Sequence, residues 1–212
     1  MLPLRLSAAA LSAAALLLAA ASTTASAHTH DTNTHDTKTH TPVAGFDGGF
    51  ETPVVPAPSL FSTYLGGQTA GPWAVGGNSV DLTSDRLWDA AEGNQSLDLN
   101  GSTSGSVSQE ISTHPLTSYV VSFELAGNPA WAPALKTGEL RVDGTPVKTF
   151  SFDVTGHGFR NMGYTRQTAV FTNLLKSSVT LTFVSTSPGL GGPVIDDVRV
   201  RSCLLVLCPP TS

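Results

Sequence analysis

The sequence predicts an all-β protein folded as a β-sandwich, most plausibly a jelly roll. Two observations support this fold class. Apolar and polar residues alternate with period two in several segments, as they do in strands with one buried face. Gly, Pro, Asn and Asp punctuate about ten such segments at short intervals, which is typical of sandwiches and barrels. No helical pattern of comparable strength follows residue 27.

The segment 92–109 lies at the centre of this pattern. It contains two alternating stretches, 95–100 and 106–111, separated by a Gly/Ser/Thr turn. This arrangement predicts a half-buried β-hairpin. Leu97 and Leu99 are expected to share its inward face, because strand side chains alternate.

The remaining strands are predicted from the same alternation. Pro53 is expected to end a first strand over 46–53, since proline removes a donor from the sheet. Segment 86–91 is expected to form one short helical turn or an irregular loop. The other expected strands cover 59–65, 73–75, 79–83, 119–125, 138–142, 147–154, 167–172, 177–185 and 193–201.

The two ends of the chain differ from this middle. Residues 1–27 carry Arg5, an Ala/Leu-rich stretch and the small residues of an A-x-A cleavage site, which is the pattern of a secretory signal peptide. Residues 28–44 are rich in His and Thr and are expected to be a disordered linker. The sandwich domain is assigned to 45–202, and 203–212 to a tail in which Cys203 and Cys208 could close a small disulfide loop in an exported protein.

Charge and hydropathy exclude several classes of partner. The net charge is −5, which favours neither nucleic acid nor an anionic membrane surface. After residue 27, no stretch approaches the ~18–20 apolar residues that span a bilayer. We therefore expect a secreted protein, extracellular or associated with the cell surface, without membrane insertion once the signal is removed.

Several short motifs follow one another along the chain. They are Phe50 to Pro53, Trp73, Ser79 to Leu82, Trp88, Glu92 to Gly101, Tyr119 to Pro129 and Gly192 to Val198. In order and spacing these motifs resemble the bacterial choice-of-anchor C proteins, which are related to plant cell-wall proteins carrying the domain of unknown function 642. The resemblance covers almost all of residues 45–200 and implies a galactose-binding-like jelly roll that is secreted, non-catalytic and associated with cell-wall polysaccharide.

The resemblance also implies a structural Ca²⁺ that joins the first and last strands. The matching ligands are Glu51, Asp196 and Asp197, and hard carboxylate oxygens suit this ion. Alternation places Asp196 on the side of Val194, Val198 and Val200, where a buried carboxylate needs a partner. The alternative is that Asp196 accepts backbone N–H groups and that no metal is involved.

A sugar-binding surface is the second candidate site. Aromatic faces stack on the apolar side of a pyranose ring, and amides or carboxylates bind its hydroxyl groups. Trp131, between Ala and Pro, is expected to be exposed, whereas Trp73 and Trp88 are expected in the core. The candidate ligand-binding residues are Trp131, Tyr64, Trp88, Tyr164, Asn94, Gln95 and Asn128.

Catalysis has little support in the sequence. There is no G-x-S-x-G nucleophile elbow and no phosphate-binding loop. Glycoside hydrolysis needs two carboxylates at a defined separation, which a sequence does not reveal. We expect a non-catalytic protein that binds polysaccharide or cell-wall glycan. The alternatives are an extracellular structural or adhesion protein that binds another protein and, third, a polysaccharide-active hydrolase.

Overall fold

A computed structural model describes residues 46–203, which contain strands, turns and irregular segments and no helix. The predicted all-β class is therefore confirmed. The strands are β1 (Phe61–Leu65), β2 (Thr69–Ala70), β3 (Trp73–Gly77), β4 (Ser79–Ser84), β5 (Gln95–Asp98), β6 (Gly105–Ser112), β7 (Thr117–Gly127), β8 (Leu135–Val142), β9 (Thr145–Asp153), β10 (Thr165–Asn173), β11 (Ser178–Ser185) and β12 (Pro193–Cys203).

The strands form two antiparallel sheets of six strands each, packed as a jelly-roll sandwich. The front sheet has the order β1-β4-β5-β12-β7-β10, and the back sheet has the order β2-β3-β6-β11-β8-β9. Neighbours in each sheet are mostly distant in sequence, so the fold depends on long-range pairing.

The core lies between the inner faces of the two sheets. Phe123 of β7 packs edge-on against Phe150 of β9 and Phe183 of β11, with ring centroids 5.4 and 5.0 Å apart. Trp73 extends this aromatic cluster and donates its indole N–H to the Asp47 carbonyl at 2.6 Å. Leu97 is fully buried in the same core, as its alternation predicted.

The predicted hairpin over 92–109 is wrong. β5 pairs with β4 and β12 in the front sheet, whereas β6 pairs with β3 and β11 in the back sheet. The turn between them crosses from one sheet to the other, and the contact that closes it is a single bridge between Asn100 and Ser104. Alternation fixes which face of a strand is buried, but it does not fix the partner strand.

The predicted first strand over 46–53 is also wrong, because this segment has no regular structure. Phe50 adopts a positive φ of 54°, which a strand does not accommodate. The segment is held by single hydrogen bonds instead, such as the one from Val198 N–H to the Gly48 carbonyl at 2.9 Å. Residues 86–91 form the irregular loop that was one of their two predicted states.

A β-bulge in β12 changes which residues face the core. The register with β7 shifts between Asp196 and Arg199, and Asp197 has a positive φ of 45°. Ile195 lies opposite the inward Leu125, so Asp196 points to the outer face, while Val198 and Val200 beyond the bulge are buried inward. Asp196 therefore shares a side with Val194, which lies opposite the outward Asp98, but not with Val198 and Val200, and for these two valines the expectation is wrong.

Some expectations concern parts of the chain outside the described residues. The signal peptide, the linker 28–44 and Cys208 lie there, so the Cys203–Cys208 loop stays a prediction. Between residues 46 and 203, the structure contains no helix long and apolar enough to cross a membrane.

Candidate functional site

Loops cover the outer face of the front sheet and bury polar groups against it. Asp98 and Asp196 point outward from β5 and β12, yet they are only 1% and 0% exposed. The loop 154–164 crosses this face and meets the loop 85–94, where the Asp89 N–H donates to the Phe159 carbonyl at 2.9 Å. These loops turn one sheet face into a second, polar interior.

Asp98 is the centre of a buried hydrogen-bond network. Its Oδ1 accepts the N–H groups of Asn100 and Gly192, at 2.8 and 3.0 Å, and its Oδ2 accepts the Asn128 amide at 2.8 Å. Burial raises the pKa of Asp98 to about 7, against the opposing effect of these donors. The bond from the Asn100 N–H shows that Asp98 supports the turn after β5.

Lys136 fixes the neighbouring loop from within. Its buried Nζ donates to the carbonyls of Trp131 and Gly191, at 2.6 and 2.9 Å. Burial lowers the pKa of Lys136, while the nearby charge of Asp98 acts to raise it. Because the same ammonium binds loops 128–134 and 186–192, Trp131 is presented from a rigid support.

A cleft opens between these loops and the crossing loop. It has a volume of about 390 Å³, within the usual range for small-ligand sites. Its floor is the outer face of β1 and β4, and its two walls come from loops on either side. The lining residues are Phe61, Thr63, Asp81, Thr83, Leu87, Trp88, Gly101, Ser102, Asn128, Ala130, Trp131, Phe159 and Leu190.

Three exposed aromatic rings line the cleft. Trp131, Phe61 and Phe159 are 52%, 45% and 39% exposed, so their rings are accessible to a ligand. Trp88 lies behind Phe159, with ring centroids 6.3 Å apart, and its indole N–H donates to the Ser96 hydroxyl at 2.9 Å. Such a surface can take the apolar face of a flat or ring-shaped ligand.

The floor of the cleft supplies a polar group. Asp81 lies beside Thr63, whose hydroxyl donates to its Oδ1 at 2.6 Å. Burial raises the pKa of Asp81 above its usual range. The carboxylate can accept hydrogen bonds from hydroxyl groups of a ligand, so aromatic and polar contacts meet in one cleft.

A second acidic region lies where the start of the domain meets β12. Glu51 Oε1 accepts the N–H groups of Asn94 and Gln95, at 2.8 and 2.9 Å. Asp196 Oδ2 accepts those of Ala91 and Glu92, also at 2.8 and 2.9 Å. The two carboxylates therefore converge on one segment, and the alternative prediction of backbone N–H partners for Asp196 is confirmed.

Asp197 does not join this pair. Its carboxylate binds Arg166 and Arg199 on the exposed side of the sheet, at 3.0 and 2.7 Å. Within residues 46–203, no three His, Cys, Asp or Glu side chains are grouped so as to hold a metal ion. An ion held by Glu51 and Asp196 would need further oxygen ligands, and the calcium site stays a prediction.

Comparison with known families tests the family resemblance that the sequence motifs suggest. Residues 46–201 match the family described as a protein of unknown function (DUF642). The chain belongs to the DUF642 family. This confirms the resemblance to the domain of unknown function 642, whereas the closer resemblance to choice-of-anchor C proteins stays a prediction. No curated protein matches the chain.

Solved structures that resemble this DUF642 chain include three carbohydrate-binding modules. A family 35 module from Clostridium thermocellum has 14% identity and a TM-score of 0.45, covering 67% of this chain and 98% of its own. The CBM22-1 xylan-binding domain of Paenibacillus barcinonensis Xyn10C has 16% identity and a TM-score of 0.44, and the match covers 68% of this chain and 95% of that domain. TmCBM61, solved with β-1,4-galactotriose, has 18% identity and a TM-score of 0.44, and the match covers 61% of this chain and 87% of TmCBM61.

The DUF642 structure brings three of the seven predicted ligand-binding residues to the cleft. Trp131 is exposed there, as expected, and Trp88 and Asn128 line it. Trp73 and Trp88 are both buried, which confirms their expected place in the core. Asn128 uses its amide to bind Asp98 and to accept the Ala130 N–H at 2.9 Å, so it shapes the wall of the cleft.

The other four predicted residues lie elsewhere. Tyr64 packs against the core, on the side of β1 opposite Phe61. Gln95 is buried and holds residues 50–55 by binding the backbone of Phe50 and Val55 at 2.7 and 2.6 Å. Asn94 is exposed beside Glu51. Tyr164 is the last residue of the crossing loop and is half-buried, and burial raises its pKa.

Sequence reasoning missed the residues that complete the cleft. Phe61, Phe159 and Leu190 come from β1 and two separate loops, and their exposure has no local signal in the sequence. Asp81 had a weak signal, because it alternates with the inward Val80 and Leu82 and so had to face outward. Only the pairing of β1 with β4 shows that Asp81, Thr63 and Phe61 share one face.

Proposed function

We propose that this protein is a secreted carbohydrate-binding protein that holds polysaccharide or cell-wall glycan in the cleft of the front sheet and does not cleave it. The observation that carries the proposal is the aromatic cleft itself. Trp131 and Phe61 are exposed at its mouth, beside hydroxyl and carboxylate groups of Thr63 and Asp81 on its floor. Carbohydrate rings are bound by this combination of stacking and hydrogen bonding.

Pre-organisation also favours a binding role. A ligand-binding loop that is already ordered loses less entropy when it binds. The loop of Trp131 is held by two short hydrogen bonds, from Lys136 Nζ to the Trp131 carbonyl and from the Ala130 N–H to Asn128. Lys136 Nζ also binds the Gly191 carbonyl and so ties this loop to its neighbour. Trp131 therefore offers its ring from a fixed position without closing of a lid.

The absence of cleavage is part of the proposal. Glycoside hydrolysis uses two carboxyl groups across the scissile bond. Among the described residues that line the cleft, Asp81 is the one carboxylate, and Asp98 behind it is closed off from solvent. The test is whether the purified protein releases reducing ends from xylan or β-1,4-galactan. If it does, and if Asp81→Asn abolishes the release, the protein is a hydrolase and this part of the proposal is wrong.

Trp131→Ala tests the binding proposal. Insoluble-polysaccharide pull-down and affinity electrophoresis on xylan, β-1,4-galactan and β-glucan give the affinities. We expect the variant to bind at least about tenfold more weakly, the loss typical of an exposed aromatic anchor. Its melting temperature should stay close to that of the wild type, since half of the side chain is exposed.

Leu175→Ala is the matched control, because Leu175 is 85% exposed and lies outside the cleft. It should retain glycan binding. If no glycan is retained by the wild type, or if Trp131→Ala binds as well as the wild type does, the proposed function is wrong.

A protein-binding role is the second candidate, and one surface favours it. Leu116, Leu174 and Leu175 are exposed together, joined by a hydrogen bond from Leu116 N–H to the Leu174 carbonyl at 3.2 Å. An apolar patch of this kind marks many interaction sites. Capture of a protein partner that Leu175→Ala abolishes and Trp131→Ala does not, with no glycan retained, would favour adhesion over carbohydrate binding.

A further inference from the structure

The charge of the cleft limits which glycans it can accept. Among the described residues that line it, Asp81 is the only ionisable one. A ligand seated between Trp131 and Phe61 therefore meets one carboxylate and otherwise neutral groups. Hydroxyl groups of a neutral sugar can donate to that carboxylate, whereas the carboxylate of a uronic acid cannot.

The cations of the bordering loops are committed elsewhere. Arg86 donates to the carbonyls of Val55 and Ser59, at 2.9 and 2.7 Å. Arg160 binds the Asp85 carbonyl and the Asp89 carboxylate, at 2.8 and 2.9 Å. Neither lines the cleft, so neither guanidinium offers the paired N–H groups that recognise a carboxylate.

The third neighbouring cation, Lys136, is bound by groups within the protein. Lys136 is buried, spends its ammonium on two backbone carbonyls, and interacts with the charge of buried Asp98. Asp98 also lies opposite Asp81 in the pairing of β4 with β5. Lys136 does not line the cleft, and its ammonium is committed to these carbonyls, so it does not pair with Asp81.

We propose that the cleft selects neutral glycans over uronic-acid polymers, and that Asp81 on its floor is the residue that determines this selection. The inference rests on the proposed function, because it concerns the ligand class of the same cleft. A uronate carboxylate placed beside Asp81 is repelled in a partly desolvated site, where charge interactions are stronger than in water. A neutral chain experiences no such repulsion.

Affinity electrophoresis with two soluble probes tests the proposal. The probes are β-1,4-galactan, which is neutral, and polygalacturonate, which carries a carboxylate on each sugar. We expect the wild type to bind galactan at least about tenfold more tightly than polygalacturonate at low ionic strength. The preference should shrink as salt is added, because salt screens the repulsion.

Asp81→Asn and Thr63→Lys are the decisive variants, and the ratio of the two affinities is the readout. The asparagine keeps an acceptor for the Thr63 hydroxyl and removes the charge. The lysine adds a cation at the exposed neighbouring position and removes no buried group, so it serves if Asp81→Asn does not fold. Each should lower the preference for galactan about tenfold.

Glu110→Gln is the matched control, because it changes the net charge by the same unit on an exposed position of the back sheet. Its affinity ratio should equal that of the wild type. An unchanged ratio in both decisive variants would overturn the role of Asp81. Equal wild-type binding of both probes would overturn the selection and leave the proposed function intact.

Two other outcomes are distinguishable. Tight binding of polygalacturonate that a chelator abolishes would overturn the inference, since a divalent cation would then join Asp81 to the uronate. Binding of neither galactan nor polygalacturonate, nor of any glycan in the wider panel, would refute the proposed function itself.

Discussion

The outer faces of the two sheets show how one sequence pattern produces two different surfaces. On the back sheet, β11 alternates strictly between buried and half-buried residues, and its outer face meets solvent. On the front sheet, all four residues of β5 are buried, because loops cover the outer face. The cleft forms where that cover stops, at β1 and β4.

The difference lies in what the outward residues do. Outward residues of the back sheet, such as Thr149 and Ser151, are exposed. Outward residues of the front sheet, such as Asp98 and Asp196, organise loops by accepting backbone N–H groups. An outward polar residue is thus a solvent contact on one sheet and a structural anchor on the other.

The largest expected effect is on stability. Asp196→Ala removes the acceptor of three backbone N–H groups, from Ala91, Glu92 and Asp197. We expect the free energy of unfolding to fall by about 3 kcal/mol, because Asp196 is fully buried and three N–H groups lose a carboxylate acceptor. Urea denaturation measures the change.

Thr149→Ala on the back sheet is the control for that comparison. Thr149 is exposed, and its substitution should change the free energy of unfolding by no more than about 0.5 kcal/mol. Equal losses in the two variants would show that the loops over the front sheet do not depend on Asp196.

The second prediction concerns pH. Burial raises the pKa of both Asp98 and Asp196 to about 7, above the value in the unfolded chain. The folded state then binds more protons than the unfolded state between pH ~4 and 7, so stability falls as pH rises through that window. We expect the melting temperature at pH 5 to exceed that at pH 8 by at least about 3 °C.

Two variants sharpen the pH comparison. Asp98→Asn should reduce the difference between pH 5 and pH 8, because it removes one of the two groups. Asp143→Asn in the β8–β9 turn should not, since its hydrogen bond to Lys176 lowers the pKa of Asp143 and its titration ends below this window. Calorimetry showing greater stability at pH 8 would contradict the assignment.

The smallest expected effect concerns calcium. Glu51 and Asp196 converge on segment 91–95, and an ion bound only by the folded state would stabilise it. We expect a chelator to lower the melting temperature by about 2 °C, and Glu51→Ala to remove that difference. If the melting curve is identical with and without chelator, these carboxylates bind backbone N–H groups and hold no ion.

The strands were predictable because their signal is local. Val179, Leu181 and Phe183 alternate with polar residues, and this segment is β11 with those three side chains buried. The bulge in β12 was not predictable from alternation, because a single extra residue at Asp197 reverses the faces on its two sides. Asp196 was therefore assigned to the wrong face, although its need for partners was correctly inferred.

The candidate site was predictable only in part. Trp131 could be identified because Ala and Pro around it predict a loop, and a large aromatic ring in a loop is often exposed. Phe61, Phe159 and Leu190 could not be identified, because they meet through contacts between segments far apart in the chain. Gln95 was misjudged for the same reason, since its amide anchors a segment about 40 residues earlier.

The sequence by itself determined the all-β class, most of the strands and, for most strands, which side chains face the core, because these depend on period-two alternation and on turn residues between neighbours in the chain. The tertiary structure decided which strands pair, where β12 reverses its faces, and that loops bury Asp98 and Lys136 to hold Trp131 over a cleft. Those features depend on backbone hydrogen bonds and burial between distant segments, and a linear pattern of residues carries no record of such distances.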